Sequence, residues 1–365
     1  MKVLTILGTR PEIIRLSIII SKLDEACNHV LVHTGQNFDR NLNDIFFQQL
    51  KVRKPDYFLG VKGATFGEQI GKILIEGEKV LRKEHPDAVV ILGDTNSGLL
   101  SVIAKRLGIP VYHLEAGNRC YDSRVPEETN RRVIDHSSTV LMPYTNRSKE
   151  NLLQEGIENH RIFVIGNPIY EVINKYLPSI DKSEVFNKYG VEKKEYFLLT
   201  MHRAENVDDE SRLSRLLEGI DKVQQNYKKP IICSCHPRTR SKLEHFKVKI
   251  KNDNITFLDP LGFFDFVALE KHAFCVLSDS GTVQEECCIL KIPNVTIRDV
   301  TERPETIECG SNILSGVDPQ RILDVLKLVV NKTSDWIPPS EYLVPYVSDI
   351  VVKIIAGYSK VADNL

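Results

Sequence analysis

Much is missing from this chain of 365 residues, and each absence removes a class of function. No uninterrupted apolar run approaches the ~18 residues of a membrane-spanning helix. The first residues, Met1–Leu7, enter a β-like apolar pattern at once and lack the basic, apolar and cleavage segments of a signal peptide. A soluble, cytoplasmic protein is expected, with no membrane partner. Formal net charge is only −1, so no basic field is available to hold nucleic acid and no polybasic tail to hold a lipid surface. Eight cysteines occur, none at CxxC spacing: Cys233 and Cys235 flank Ser234, Cys287 and Cys288 are adjacent, and the others stand alone. Buried reduced thiols fit that pattern better than a zinc site. HExxH and three-histidine patterns are absent, so no metal is expected. The glycine fingerprint GxGxxG is absent too, so no bound nicotinamide or other cofactor is expected.

What is present is alternation. Hydrophobic residues make up 42% of the chain, enough for two domains with separate cores. Apolar, β-branched runs at 2–7, 29–34, 87–93, 111–115, 139–144 and 161–166 alternate with helix-length amphipathic segments. A polar stretch at 182–195 interrupts them, and the pattern restarts at 196–201, 230–235, 255–259, 273–279 and 292–297. Near-continuous apolar strands separated by helices indicate parallel sheets covered on both faces. The expectation is an α/β protein of two Rossmann-like, doubly wound domains, residues 1–168 and 169–345, with a hinge between about 169 and 195. The last helical stretch, within 346–365, is expected to pack back on the first domain.

Ligands of such folds bind beyond the carboxyl ends of the strands, where this sequence collects its polar clusters. "LGTRPE" follows the first strand: Gly8 permits a tight turn, Pro11 suits a helix start, and Arg10 offers a fork for phosphate or carboxylate. A capped turn with a surface arginine would look the same. "ILGDTNS" places Asp94 after a strand, where a helix cap is the simpler role unless a second group lies near. "HLEAGNR" supplies one in Glu115, and paired carboxylates can divide acid and base roles. "VPEETNRR" adds Glu127 and Glu128, of which only one can face the same cleft because helical neighbours diverge by about 100°. In the second half, "LTMHRAEN" puts His202 at a strand end with charges beyond it. "LSDSGTVQEE" offers Ser280, Gly281 and Thr282 at a helix start as a phosphate cradle, with Glu285 and Glu286 in the helix to reach ribose. "TERPE" brings Arg303.

In order, "GTRPE", "HTGQ", "GDTNS", "HLEAGNR", "PEETNRR", "GNP", "HRAENVD", "SDSGTVQEE" and "RDVTERPE" resemble the motifs of the non-hydrolysing UDP-N-acetylglucosamine 2-epimerases over nearly the whole chain. The resemblance implies a GT-B-like fold with the active site in the cleft between the two domains, the second of them binding UDP, and a homodimer. It implies catalytic roles for Asp94, Glu115, Glu127 and His202. It implies UDP contacts for Arg10, Arg15, Ser280, Gly281, Thr282, Glu286 and Arg303, with Phe266 on the uracil side. The implied reaction interconverts UDP-N-acetylglucosamine and UDP-N-acetylmannosamine, for surface polysaccharide precursors. UDP leaves by anti elimination, giving bound 2-acetamidoglucal, and returns with the proton on the other face of C-2. No carbonyl adjoins C-2, so ionisation at C-1 must lead.

The sequence departs from the family pattern at three places: Arg15 stands where lysine is frequent, Thr282 where glycine is, and Leu261 where glutamine is. "EAGNRC" with "VPEE" leans toward a branch that epimerises UDP-2-acetamido-2,6-dideoxy-L-talose, while "GNP" and "RDVTERPE" read like the UDP-N-acetylglucosamine branch. A retaining glycosyltransferase would share the architecture but would not need three carboxylates and a histidine. A hydrolysing epimerase and a nucleotide-sugar sensor are the remaining alternatives.

Overall fold

A computed structural model describes residues 1–36, 40–248, 252–331 and 335–362. The chain divides into two compact units, residues 1–175 with 340–365, and residues 176–339.

In the first unit the strands are β1 (Lys2–Leu7), β2 (Asn28–His33), β3 (Tyr57–Phe58), β4 (Ala88–Leu92), β5 (Val111–Leu114) and β6 (Val140–Met142). They form a sheet of order 3-2-1-4-5-6, parallel throughout. In the second, β7 (Phe197–Thr200), β8 (Ile231–Ser234), β9 (Ile255–Leu258), β10 (Cys275–Ser278), β11 (Asn294–Thr296) and β12 (Asn312–Leu314) pair in the order 12-11-10-7-8-9, again in parallel. Counted from β7, that is the same order. Each sheet therefore reverses direction once, between β1 and β4 or between β7 and β10, and a doubly wound sheet opens its ligand crevice there. The central strands β4, β5 and β7 are buried along their whole length, as strands covered on both faces must be. The fold is the doubly wound α/β architecture expected from the alternation.

Differences are local. Residues 161–166 do not make a strand. A 3-10 turn occupies Asn159–Arg161, and Ile162 forms only an isolated bridge to Leu141. The segment still runs beside β6, the Phe163 and Ile165 amides donating to the Leu141 and Pro143 carbonyls, until the backbone turns at Gly166 with φ of +86°. Two short strands, β3 and β12, are additional. The division at 175/176 falls inside the expected hinge segment, which carries regular structure. Helix Pro168–Ile180 fills its first part. Its polar remainder is tied down within the second unit, Ser183 Oγ donating to Asp265 and Lys194 Nζ to the Ala273 carbonyl. The last helix, Val347–Ala362, sits in the first unit, where Ser348 donates through its N–H and its hydroxyl to Glu171, and Lys22 pairs with Asp349 at 2.6 Å. Positions 363–365 lie outside the described residues. Among the described residues no helix is long and apolar enough to cross a membrane.

Gly8, directly after β1, has to be glycine. A Cβ there would collide with Ser97 Oγ and Thr34 Oγ1. Those two hydroxyls are fully buried and bonded to each other at 2.7 Å, so neither yields without breaking that bond. Gly8→Ala is expected to lower stability by about 1–3 kcal/mol, the usual cost of overpacking, read as a lower urea midpoint at unchanged slope.

Candidate functional site

The reversal point of the first sheet gathers the turns after β1, β4 and β5. Glu115 is the first residue past β5 and adopts φ of +66°, the left-handed region that costs a bulky residue energy. Its carboxylate is held by Arg15, Nη1 to Oε2 at 2.6 Å, and by Asn118 Nδ2 at 3.3 Å. Arg15 is buried, with its guanidinium 5.7 Å from the centroid of the Tyr144 ring. The structure thus places this arginine against the carboxylate site rather than at the start of its helix, because five residues into helix Arg10–Ala26 it faces inward. Arg10, at the helix start, is half-buried, its guanidinium 5.9 Å from the Phe46 ring centroid.

Asp94 follows Gly93 at the end of β4. It does not cap the next turn, whose N-cap is Thr95. Its carboxylate instead accepts from Arg131 Nε at 2.8 Å, and its carbonyl accepts from Asn130 Nδ2 at 3.0 Å. Arg131 and Asn130 lie on helix Pro126–Ser137. That helix also carries Glu127 and Glu128 in its first turn, and the structure separates them. Glu128 is buried, accepting from the backbone N–H of Cys120 and of Tyr121 and from Arg131. Burial alone would raise its pKa, but those donors outweigh it and hold the group below the ordinary range. Glu127 is half-buried. Arg119 does not serve Glu115; it is buried against Asp135 and Glu155.

Sequence reasoning missed Glu12, whose signal was "TRPE", the residue spacing of a capping box. Its Oε2 accepts from the N–H groups of Gly8 and Thr9 and from the Thr9 hydroxyl, and its Oε1 from Thr95. The carboxyl is therefore shared by the turns after β1 and β4. These donors are all neutral, and burial outweighs them and pushes its pKa up to about 7.

The second unit repeats the arrangement at its own reversal point. Asp279, directly after β10, is fully buried and accepts from the backbone N–H of His202 and Arg203 after β7, and from Asn206 Nδ2. It was not singled out from sequence, although its place between an apolar strand and Ser280 was the clue. His202 is half-buried, with Nδ1 3.5 Å from Asp279 Oδ1. Ser280 starts helix Gly281–Leu290, but its side chain makes no capping bond; its hydroxyl lies 3.0 Å from that of Thr282. The simple reading of a serine-capped helix is therefore excluded, and the anion-attracting helix end is not closed by Ser280. Gly281 is close-packed: a Cβ would strike Glu302 Oε1. The Glu302 oxygens are taken by Arg203 at 3.0 Å and Arg298 at 2.9 Å. Arg303 is buried with its Nε on Glu285, which separates Glu285 from Glu286 just as Glu128 is separated from Glu127. Glu286 is buried on the same helix, and Phe266 is half-buried on helix Phe263–Lys271. All eight cysteines are free thiols, and among the described residues no group of three His, Cys, Asp or Glu side chains is placed to hold a metal.

Comparison with known proteins bears on this geometry. Residues 21–356 match the family model described as UDP-N-acetylglucosamine 2-epimerase. The chain is 46% identical to the UDP-N-acetylglucosamine 2-epimerase of Methanocaldococcus jannaschii, over 93% of this chain and 95% of that one. A crystal structure of the M. jannaschii UDP-GlcNAc 2-epimerase in complex with UDP-GlcNAc and UDP superposes with a TM-score of 0.93 at 44% identity, covering 98% of this chain and all of that one. The UDP-2,3-diacetamido-2,3-dideoxy-D-glucuronate 2-epimerase of Pseudomonas aeruginosa is 37% identical over 91% and 93% of the two chains.

Glu12 generates a pH prediction. Its folded pKa, about 7, lies above the ordinary carboxylate value of 4.5, so the native state holds its proton more tightly than the unfolded chain does. The linked stability is fully present below about pH 4.5 and is lost as pH rises through about 7. The loss is on the order of 3 kcal/mol, at roughly 1.4 kcal/mol per pH unit. Urea unfolding between pH 5 and 8 should show wild type losing this increment relative to Glu12→Gln; parallel profiles would refute it.

Proposed function

The chain belongs to the UDP-N-acetylglucosamine 2-epimerase family, and on that premise we propose that it interconverts UDP-N-acetylglucosamine and UDP-N-acetylmannosamine, without a cofactor, for surface polysaccharide precursors. The observation that carries the reading is the pair of strand-end carboxylates, Asp94 and Glu115, each held by its own arginine.

The chemistry asks for two things. Ionisation at C-1 needs stabilisation of the departing UDP, which falls to the end of helix Gly281–Leu290 left uncapped by Ser280, with Thr282 and Arg10 beside the phosphates. Glu286 takes the ribose and Phe266 the uracil side. Of the two remaining arginines assigned to UDP, Arg303 orders the loop through Glu285, and Arg15 acts through Glu115. The second requirement is a base at C-2 and an acid for the opposite face. Arginine partners keep Asp94 and Glu115 ionised and aimed, and Glu127 and His202 complete the set. One carboxylate removes the proton, giving 2-acetamidoglucal, and another group returns one from the other side as UDP adds back. Positioned groups of this kind contribute roughly 10²–10⁴-fold.

A second reading keeps the chemistry and changes the sugar. It rests on "EAGNRC", which leans toward the 6-deoxy-L-sugar branch, and on the P. aeruginosa relative, whose sugar differs from N-acetylglucosamine. We also propose a cytoplasmic homodimer, in keeping with the free thiols and the family's habit.

Incubation with UDP-N-acetylglucosamine in D₂O, followed by NMR, should place deuterium at C-2 of both UDP-linked epimers. Release of free sugar would mean hydrolysis, and UDP release only on adding an acceptor would mean a glycosyltransferase. Deuteration of UDP-2-acetamido-2,6-dideoxy-L-talose alone would establish the second reading. Glu115→Gln is expected to lose at least about 100-fold in kcat while UDP affinity by calorimetry stays near wild type. An unchanged kcat removes Glu115 from the mechanism.

A further inference from the structure

Beneath the Asp94 and Glu115 turns lies a buried ionic cluster that the reaction as described does not use. His113, on β5, is buried, as is Asp135 on helix Pro126–Ser137. His113 Nδ1 meets Asp135 Oδ1 at 2.8 Å, and Nε2 meets the Gly93 carbonyl at 2.9 Å. The other Asp135 oxygen, Oδ2, accepts from the Gly117 N–H at 3.2 Å and pairs with Arg119 at 2.8 Å. Arg119 continues to Glu155, Nη2 to Oε2 at 2.6 Å. Arg132 and His136 approach Glu155 from its solvent side, at 3.8 and 3.6 Å.

The ends of this chain of bonds fall at informative places. Gly93 immediately precedes Asp94, and Gly117 is two residues after Glu115. Gly93, Glu115 and Gly117 all have left-handed backbones, with φ of +72°, +66° and +80°. Gly117 also packs so tightly that a Cβ would strike the Ser148 carbonyl. A non-glycine residue in that region is strained and persists only where its surroundings over-determine it. One imidazole–carboxylate pair fastens both turns at once, the first through its carbonyl and the second through its amide. The Gly93 carbonyl only accepts, so Nε2 donates to it. Asp135 would be raised by burial, but His113 and Arg119 outweigh that and hold it below the ordinary range. Bonded through both ring nitrogens, the imidazole is a bridge that an apolar side chain does not reproduce. Packing alone does not call for such ions, since apolar residues of similar volume commonly serve stability as well or better.

We propose that His113 and Asp135 are positioning residues for the epimerase reaction, holding the Asp94 and Glu115 turns in register so that the two carboxylates keep their working separation. The proposal rests on the acid–base roles given to Asp94 and Glu115 above.

The test compares His113→Gln, Asp135→Asn and the double variant with wild type, on UDP-N-acetylglucosamine. Each single variant should lower kcat by about 10–100-fold, the scale of a small misplacement of reacting groups. KM and UDP affinity should stay within about twofold, and C-2 deuterium wash-in should fall in parallel with kcat. The double variant should be about as slow as the slower single one, because both cut the same bridge. Folded single variants with wild-type kcat overturn the proposal. So does a fall in kcat matched by lost UDP affinity, which would mean general damage, and so does strict multiplicativity in the double variant. If the variants do not accumulate as folded protein, ¹⁵N-labelled histidine in wild type decides: an exchange-protected Nε2–H proton on His113 supports the bridge, and its rapid exchange overturns it. The wild-type D₂O experiment separately decides the epimerase reading, so failure of one is distinguishable from failure of the other.

Discussion

Parallel pairing of β1 with β4, and of β7 with β10, is the constraint on which the rest depends. Because all strands of a unit point the same way, every turn at their carboxyl ends opens on one edge of the sheet. Where the strand order reverses, the following segments leave in opposite directions and the crevice between them stays open. Gly8, Asp94 and Glu115 meet at that edge in the first unit, and His202, Asp279 and Ser280 in the second. No residue needs to be near another in sequence for this to happen. The register of a hydrogen-bonded ladder does the work of bringing them together.

Within that edge, the fate of each carboxyl group follows from what faces it. Glu12 and Asp135 are both buried, yet they respond in opposite directions. Asp135 meets His113 and Arg119 and stays ionised, whereas the bonds to Glu12 come from neutral hydroxyls and amides, and burial wins. The same contrast separates the two carboxylates offered for catalysis from the one that organises the turn. Glu115 and Asp94 each meet a guanidinium, which fixes both charge and direction. Burying ions is expensive unless they are paired and fully hydrogen-bonded. This unit pairs its buried ions by sharing partners: Arg131 serves both Asp94 and Glu128, and Asp135 serves His113, Arg119 and a backbone amide.

Much of this was legible in the sequence, because strand-end clusters are local and their residue types are conspicuous. The alternation of apolar runs gave two doubly wound units, and each polar cluster after a strand lies at the edge where such folds bind ligands. What could not be read was pairing at a distance. Arg119 stands four residues from Glu115, but its partners are Asp135 and Glu155, 16 and 36 positions away. Residues 161–166 bond to β6 and the residue after it through the Phe163 and Ile165 amides without forming a regular strand, a distinction their β-branched composition does not carry. The anchors of the polar stretch 182–195, Asp265 and Ala273, could not be read from it because they come from a later part of the chain.

The two units share a strand order, yet the helix after β1 and the helix after β10, each at its own sheet's reversal point, begin differently. In the first unit, helix Arg10–Ala26 begins under a carboxyl of its own chain: Glu12 occupies the amides of Gly8 and Thr9. An anion arriving there would compete with that internal acceptor and would have to rely on the Arg10 side chain. In the second unit, Ser280 turns its hydroxyl to Thr282 and leaves helix Gly281–Leu290 without a side-chain cap. The nearby carboxylate, Glu302, is occupied by Arg203 and Arg298. The uncapped helix end keeps its dipole available to an added diphosphate. The first unit fills the amides ahead of its helix with Glu12, and the second leaves its helix end uncapped by Ser280.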